Sequence, residues 1–344
     1  MPAPMLRPTS KFRPFSITLA NGAEVTGIAS IPSAFASSSR TTGRPLLVLV
    51  HGGKCTPHHF DLSDSHTYSS LSDLGDLAIP VVAIHRPGYG GSTSFLPIAD
   101  ENDEPGEIRY HQETARWLHK FIFPALWERF GVLNQCAGMV AVGHSMGGIQ
   151  VVVAAELYAR DRSAPRKYPL MGIVMSGMGS RFVARPELSE GFPEGEALPE
   201  EIFFKAGVMG KLMLGDRSLR LCDSGIYGMV DEMDVGMPRE ELLSLLAWWP
   251  VHWKRCAGEV TVPVLYGLGE YDWLWETNEE HVAEFRAAFV KCENWEGGLV
   301  KGAPHCIEWS RAGREWMRKV GVWSADVVDV AARKTTVARA SNNP

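Results

Sequence analysis

The feature that most constrains this chain is a five-residue turn, Gly143-His144-Ser145-Met146-Gly147, set between a strand and a helix. Residues 139–142 (Met-Val-Ala-Val) form a strand-sized apolar run, and 146–159 read as a helix. A turn that tight forces its central residue into a strained backbone conformation. Small residues on both flanks let the chain fold back without collision. The serine hydroxyl then stands above a sheet edge at a helix N-terminus. The plainer alternative is a glycine-rich strand-to-helix turn that carries no chemistry.

A serine hydroxyl is a poor nucleophile unless a base takes its proton and a third group orients that base. The sequence therefore has to supply a carboxylate and a histidine downstream, each after a strand, and it does. Residues 263–272 (Pro-Val-Leu-Tyr-Gly-Leu-Gly-Glu-Tyr-Asp) run from a strand into a turn carrying Glu270 and Asp272. Residues 301–308 (Lys-Gly-Ala-Pro-His-Cys-Ile-Glu) place His305 in a Gly/Pro loop ahead of a helix. The order Ser145, Asp272, His305 is the expected one, with Glu270 as the alternative acid.

Along the chain, strand-like and helix-like stretches alternate. Residues 15–28 alternate apolar and polar around Asn21-Gly22, a hairpin signal, and 33–43 read as a loop. Strands are predicted at 46–50, 79–84, 139–142, 172–176 and 263–268. Helices are predicted at 107–130, where Pro124 kinks or ends the helix, and at 146–159, 279–289 and 307–319. The acidic run 100–107 reads as a solvated loop, and the tail after 325 as frayed. Such alternation implies a mostly parallel sheet covered on both faces. Residues 181–258 break the pattern, with Pro186, Pro193, Pro199 and Pro238, then a helical run to Trp249 and no convincing strand. They read as a helical cap inserted into a core made of 1–180 and 259–344.

Taken together, these segments resemble the α/β-hydrolase superfamily, in its cap-bearing serine-hydrolase branch. The resemblance spans roughly 15–320. It is carried by His51-Gly52-Gly53 after the first parallel strand, by residues 86–92 (Arg-Pro-Gly-Tyr-Gly-Gly-Ser), by the serine turn, by 263–272 and by Gly302-Ala-Pro-His305. The chain departs from the family's usual pattern with His85 where an aspartate is common and with Gly267-Leu268 in place of bulkier residues. The resemblance implies an oxyanion hole made by the backbone N–H groups of Gly53 and Met146. Two fixed donors aimed at a tetrahedral intermediate are what acyl chemistry requires.

Composition bounds the remaining possibilities. Lysine and arginine total 34 against 40 acidic residues, a net charge of −6, and no local basic patch appears. Nucleic-acid and anionic-membrane binding are therefore disfavoured. No apolar run approaches the ~18 residues of a membrane span. The six cysteines are scattered without a C-x-x-C pair, which points to reduced thiols and a cytoplasmic setting. His58-His59 near Cys55 lack the spacing of a metal site, and neither metal nor organic cofactor is expected.

The predicted cap is rich in methionine and aromatics, which suits a medium-sized, largely apolar acyl substrate: an ester, lactone or thioester. His144, Trp248, Trp249 and Trp273 are the expected pocket residues. Acyl transfer, cyclisation or carbon–carbon cleavage by the same three groups is the alternative. A non-catalytic ligand binder on the same fold is the alternative of another class.

Overall fold

The computed structural model describes residues 12–32, 43–62, 74, 77–98, 109–185, 197–205 and 207–341. The acidic stretch 100–107 and the loop expected at 33–43, apart from Gly43, lie outside them. β1 (Arg13–Thr18) and β2 (Glu24–Ser30) pair antiparallel across the Asn21-Gly22 turn. The Val/Leu/Ile-rich β3 (Pro45–Val50), β4 (Val81–Ile84) and β5 (Gly138–His144) are buried along their whole length, as strands with both faces covered must be. β6 (Leu170–Ser176) follows.

The next two strands are short. β7 (Glu201–Ile202) pairs only with β8 (Met237–Pro238), antiparallel. This pair corrects the strand-free reading of 181–258; two residues per strand leave no alternation to detect. β9 (Val264–Tyr271) and β10 (Trp295–Pro304) complete the main sheet. Its order is β1-β2-β4-β3-β5-β6-β9-β10, and every pairing from β4 to β10 is parallel.

Helices cover both faces. α1 (Tyr110–Trp117) leads into wider helical turns that continue to Val132, with Pro124 in the first turn of a later piece, so the proline does not end the helical path. α2 (Met146–Arg160) leaves the serine turn. Between β6 and β9 the chain builds α3 (Val208–Leu214), α4 (Ile226–Met233), α5 (Arg239–Leu243) and α6 (Trp249–Glu259). α7 (Glu279–Ala287) links the last strands, and α8 (Gly313–Ser341) closes the described chain. α8 extends well past the expected end at 319. Trp316, Val320, Trp323 and Val327 recur at helical spacing and are buried against the sheet.

Register positions the chemistry. Val50 pairs with Gly143, so the segments 51–53 and 144–146 emerge side by side from the C-terminal edge of the sheet. Tyr271 pairs with Pro304, so Asp272 and His305 emerge as neighbours from the same edge. In open parallel sheets this is the edge at which ligands bind. Met209, Leu212, Trp248 and Trp249, from the segment between β6 and β9, belong to the same apolar core as β3, β5 and α2.

Candidate active site

Ser145 is the hinge between β5 and α2. Its backbone lies at φ 51° and ψ −123°, a conformation that L-residues rarely adopt. Close packing explains its flanking glycines. A Cβ on Gly143 would come within 2.4 Å of the Gly147 carbonyl oxygen, and one on Gly147 within 2.2 Å of Val50 O. The Ser145 N–H donates to Ser176 O (2.8 Å), tying the turn to the neighbouring strand.

Three of the expected residues meet in a line. Ser145 Oγ lies 3.0 Å from His305 Nε2, and His305 Nδ1 lies 2.8 Å from Asp272 Oδ2. His305 is fully buried, while Ser145 and Asp272 are nearly so. Asp272 Oδ1 accepts the N–H groups of Leu274 (2.8 Å) and Trp275 (3.3 Å), which fixes the carboxylate plane. Glu270, the alternative acid, is turned elsewhere, its Oε2 accepting the Gly302 N–H (2.9 Å) across the β9–β10 pair. Gly267 leaves room for the Trp316 ring, which would stand 2.6 Å from an added Cβ.

Gly52 and Gly53 adjoin the serine. A Cβ on Gly52 would lie 3.0 Å from Ser145 Cβ, and one on Gly53 2.7 Å from Met146 Sδ. The Gly52 carbonyl accepts from Arg86 Nη2 (2.8 Å) and His51 Nδ1 (2.8 Å). Arg86, wholly buried, forms an ion pair through Nη1 with buried Glu241 of α5, and Glu241 also accepts from Tyr89 Oη (2.5 Å). Burial lowers the His51 pKa well below its usual value, and Arg86 pushes it the same way.

A buried polar cluster that sequence reasoning missed lies behind His305. Glu308 accepts from Ser176 Oγ (2.5 Å), and its Oε2 faces His144 Nδ1 (3.4 Å) and His59 Nε2 (3.6 Å). Burial alone would raise the Glu308 pKa. Interaction with His144 and His59, together with the Ser176 hydroxyl bond, outweighs burial and holds it at about 2. Burial and His59 drive His144 the other way, toward the neutral ring. Ser176 Oγ bridges the cluster, donating to Glu308 Oε1 and lying 3.1 Å from His144 Nδ1, while Glu308 Oε2 lies near both imidazoles without a hydrogen bond. The only sequence signal was an acid three residues after His305.

His59, His144 and Cys306 bring their ligand atoms within 4.8 Å of one another. The two imidazoles are stacked, however, with centroids 4.4 Å apart and planes at 22°. Lone pairs lie in the ring planes, so they run side by side instead of converging on one ion. Burial also raises the Cys306 thiol well above its ordinary pKa. The set does not fit a metal.

The cavity over Ser145 is narrow, about 90 Å³, and its lining is mostly apolar. Phe182, Val183, Phe204, Met209, Leu212, Met213, Met237, Leu242, Leu245 and Leu246 come from the segment between β6 and β9; Leu274 and Trp275 complete it with Gly53, Met146 and Lys54. None of the four expected pocket residues lines it. His144 lies below the sheet edge against His59, and Trp248 stacks on His252. Trp249 points inward and donates to Gly179 O (2.9 Å), while Trp273 packs beneath Arg185. Neighbouring tryptophans in sequence point in different directions, and composition cannot tell which faces the cavity.

Lys54 is buried although charged. Its Nζ pairs with Asp234 Oδ1 (2.9 Å) and donates to Ile202 O (2.9 Å) and Val235 O (3.4 Å), over the rings of Phe203 and Phe204. This side chain joins the segment after β3 to the β7–β8 region.

Comparison with known proteins sets this geometry in context. No sequence of a curated protein matches the chain at a significant level. Among solved structures, it is similar to a thermophilic esterase from Thermogutta terrifontis. That likeness has 17% identity and TM-score 0.55, and covers 92% of this chain and 99% of that one. It is also similar to a monoacylglycerol lipase from Paleococcus ferrophilus (20%, TM-score 0.52, 83% and 97% covered). An N-acyl homoserine lactonase is a third (16%, TM-score 0.52, 92% and 97% covered). At such identities the likeness speaks to fold. The sequence model of the alpha/beta hydrolase family matches residues 47–319, from β3 through the first turns of α8. With that match over most of its length and a parallel sheet of the same architecture, the chain belongs to the alpha/beta hydrolase family.

Proposed function

We propose that this protein is a serine hydrolase that cleaves an ester, lactone or thioester bond of a small, largely apolar molecule. The observation that carries this reading is the continuous path from Ser145 Oγ to His305 Nε2 (3.0 Å) and from His305 Nδ1 to Asp272 (2.8 Å). Ser145 attacks the acyl carbon as His305 takes its proton. Asp272 holds the imidazole tautomer and stabilises the imidazolium that forms. The N–H groups of Gly53 and Met146 receive the oxyanion. His305 then protonates the leaving alcohol or thiol, and water releases the acyl group by the same steps in reverse. The segment 181–258 acts as a cap whose methionines, leucines and aromatics surround the acyl chain.

The narrow, apolar space over Ser145 favours an uncharged acyl group, because a carboxylate there would lose its hydration. A fluorophosphonate probe tests the reading directly. The expected result is stoichiometric labelling that Ser145→Ala abolishes, together with turnover of p-nitrophenyl esters by the wild type alone. A folded wild-type protein that resists labelling, or equal labelling of the variant, would overturn it.

A further inference from the structure

The peptide group joining Gly52 to Gly53 is held by His51 from its own loop and by Arg86 from the segment after β4, and Arg86 is in turn paired with Glu241 between β6 and β9. In a trans peptide the carbonyl and the N–H point in opposite directions within one plane. Whatever fixes the Gly52 oxygen therefore also aims the Gly53 N–H. Two groups fix that oxygen: the Arg86 guanidinium through Nη2 (2.8 Å) and His51 through Nδ1 (2.8 Å). His51 Nε2 accepts from the Arg86 backbone N–H at 3.3 Å, and at Nδ1 the short contact to Gly52 O (2.8 Å) sets that nitrogen as the donor over the longer approach of Arg86 Nε (3.4 Å). A charged donor on the carbonyl also polarises the amide and makes its N–H a stronger donor.

Arg86 cannot do this alone. It is wholly buried, and an uncompensated guanidinium there would be strongly disfavoured. Its counterion, Glu241, lies on α5, more than 150 residues away along the chain. Tyr89 Oη on the second carboxylate oxygen (2.5 Å) completes the arrangement. The orientation of one backbone donor beside Ser145 thus depends on the seating of α5.

Building on the serine-hydrolase reading, we propose that Arg86 and Glu241 are positioning residues of the oxyanion hole. Arg86 holds the Gly52–Gly53 peptide with its N–H toward the acyl oxygen, and Glu241 holds Arg86 in place. Seating of α5 over the core and readiness of the oxyanion donor are one event.

The test uses the full chain and p-nitrophenyl butyrate. Replacing both partners at once, Arg86→Met with Glu241→Met, removes the pair without leaving a buried charge. The expected result is a folded protein with kcat reduced about 100-fold and KM little changed, as for a misaimed transition-state donor. The carbonyl stretch of the acyl-enzyme should also move to higher frequency, because the acyl oxygen has lost a hydrogen bond. If the double variant does not fold, Arg86→Lys serves. It keeps the charge but cannot reach Gly52 and Glu241 together, so the same band should shift. An unshifted band with wild-type kcat, in a protein whose Ser145 still labels, would overturn this inference and leave the hydrolase reading intact. Failure of the wild type to label would remove both.

Discussion

Asp272 and His305 leave adjacent, paired strands at Tyr271 and Pro304, and the carboxylate meets the imidazole at 2.8 Å through one oxygen while its other oxygen accepts two backbone amides. The acid is thus held by the chain itself, independently of the histidine. Asp272→Asn is expected to keep this geometry, because the amide oxygen can still accept from Leu274 and Trp275. It also presents an N–H donor toward His305 and reverses the ring's tautomer, so kcat should fall by about 10⁴. Glu270→Gln breaks no such link and should change kcat by less than about tenfold. Steady-state kinetics on one chromogenic ester decides between the two acids.

The sharp turn that aims Ser145 at His305 holds it in a strained backbone conformation. At φ 51° and ψ −123°, a glycine is at ease where serine is not. Ser145→Gly should therefore abolish turnover and raise the melting temperature by about 2 °C or more, the direction expected when strain of about 1–3 kcal/mol is relieved. Differential scanning calorimetry of wild type, Ser145→Ala and Ser145→Gly should rank the glycine variant highest.

Glu308 gives a pH signature. Its folded pKa of about 2 lies below its usual 4.5. A depressed carboxylate contributes stability that is fully present above its unfolded value and is lost as pH falls from about 4.5 toward 2. Glu308→Gln should cost on the order of 3 kcal/mol at neutral pH and flatten the stability profile between pH 5 and 2. Urea titrations of both proteins across that range measure the difference. A parallel profile would show that the carboxylate is not ionised in the fold.

Leu212 lines the cavity from α3. Leu212→Ala opens space beside Ser145 and should move the preferred acyl chain of p-nitrophenyl esters toward longer members. A shift of about tenfold in the ratio of kcat/KM between adjacent even-numbered chains is expected, in line with the modest worth of a methylene in an apolar pocket.

How much of this was legible in the sequence follows from burial. β3 and β5 are covered on both faces and read as unbroken apolar runs, and the serine turn needs its two glycines for reasons visible in its spacing. β10 escaped notice because it is an edge strand, partly exposed, and carries Gly297, Gly298, Lys301 and Gly302. Its strand character comes from pairing with β9, not from its own residues. The reach of α8 was understated for a related reason, since Trp323 and Val327 gain their meaning only from the sheet beneath them. The cavity lining was the least legible part. Side-chain direction depends on how short segments pack: Trp275 lines the cavity while Trp273, two residues earlier, packs against Arg185.

Lys54, buried in the cavity wall, has a consequence for what the cavity can hold. Its ammonium offers three hydrogens, and Asp234, Ile202 and Val235 supply an oxygen for each. An incoming molecule with an anionic tail meets a cation already saturated by the protein's own oxygens. Such a guest would shed its water shell and find no replacement for it. On the serine-hydrolase reading proposed above, this pairing would favour uncharged guests over anionic ones.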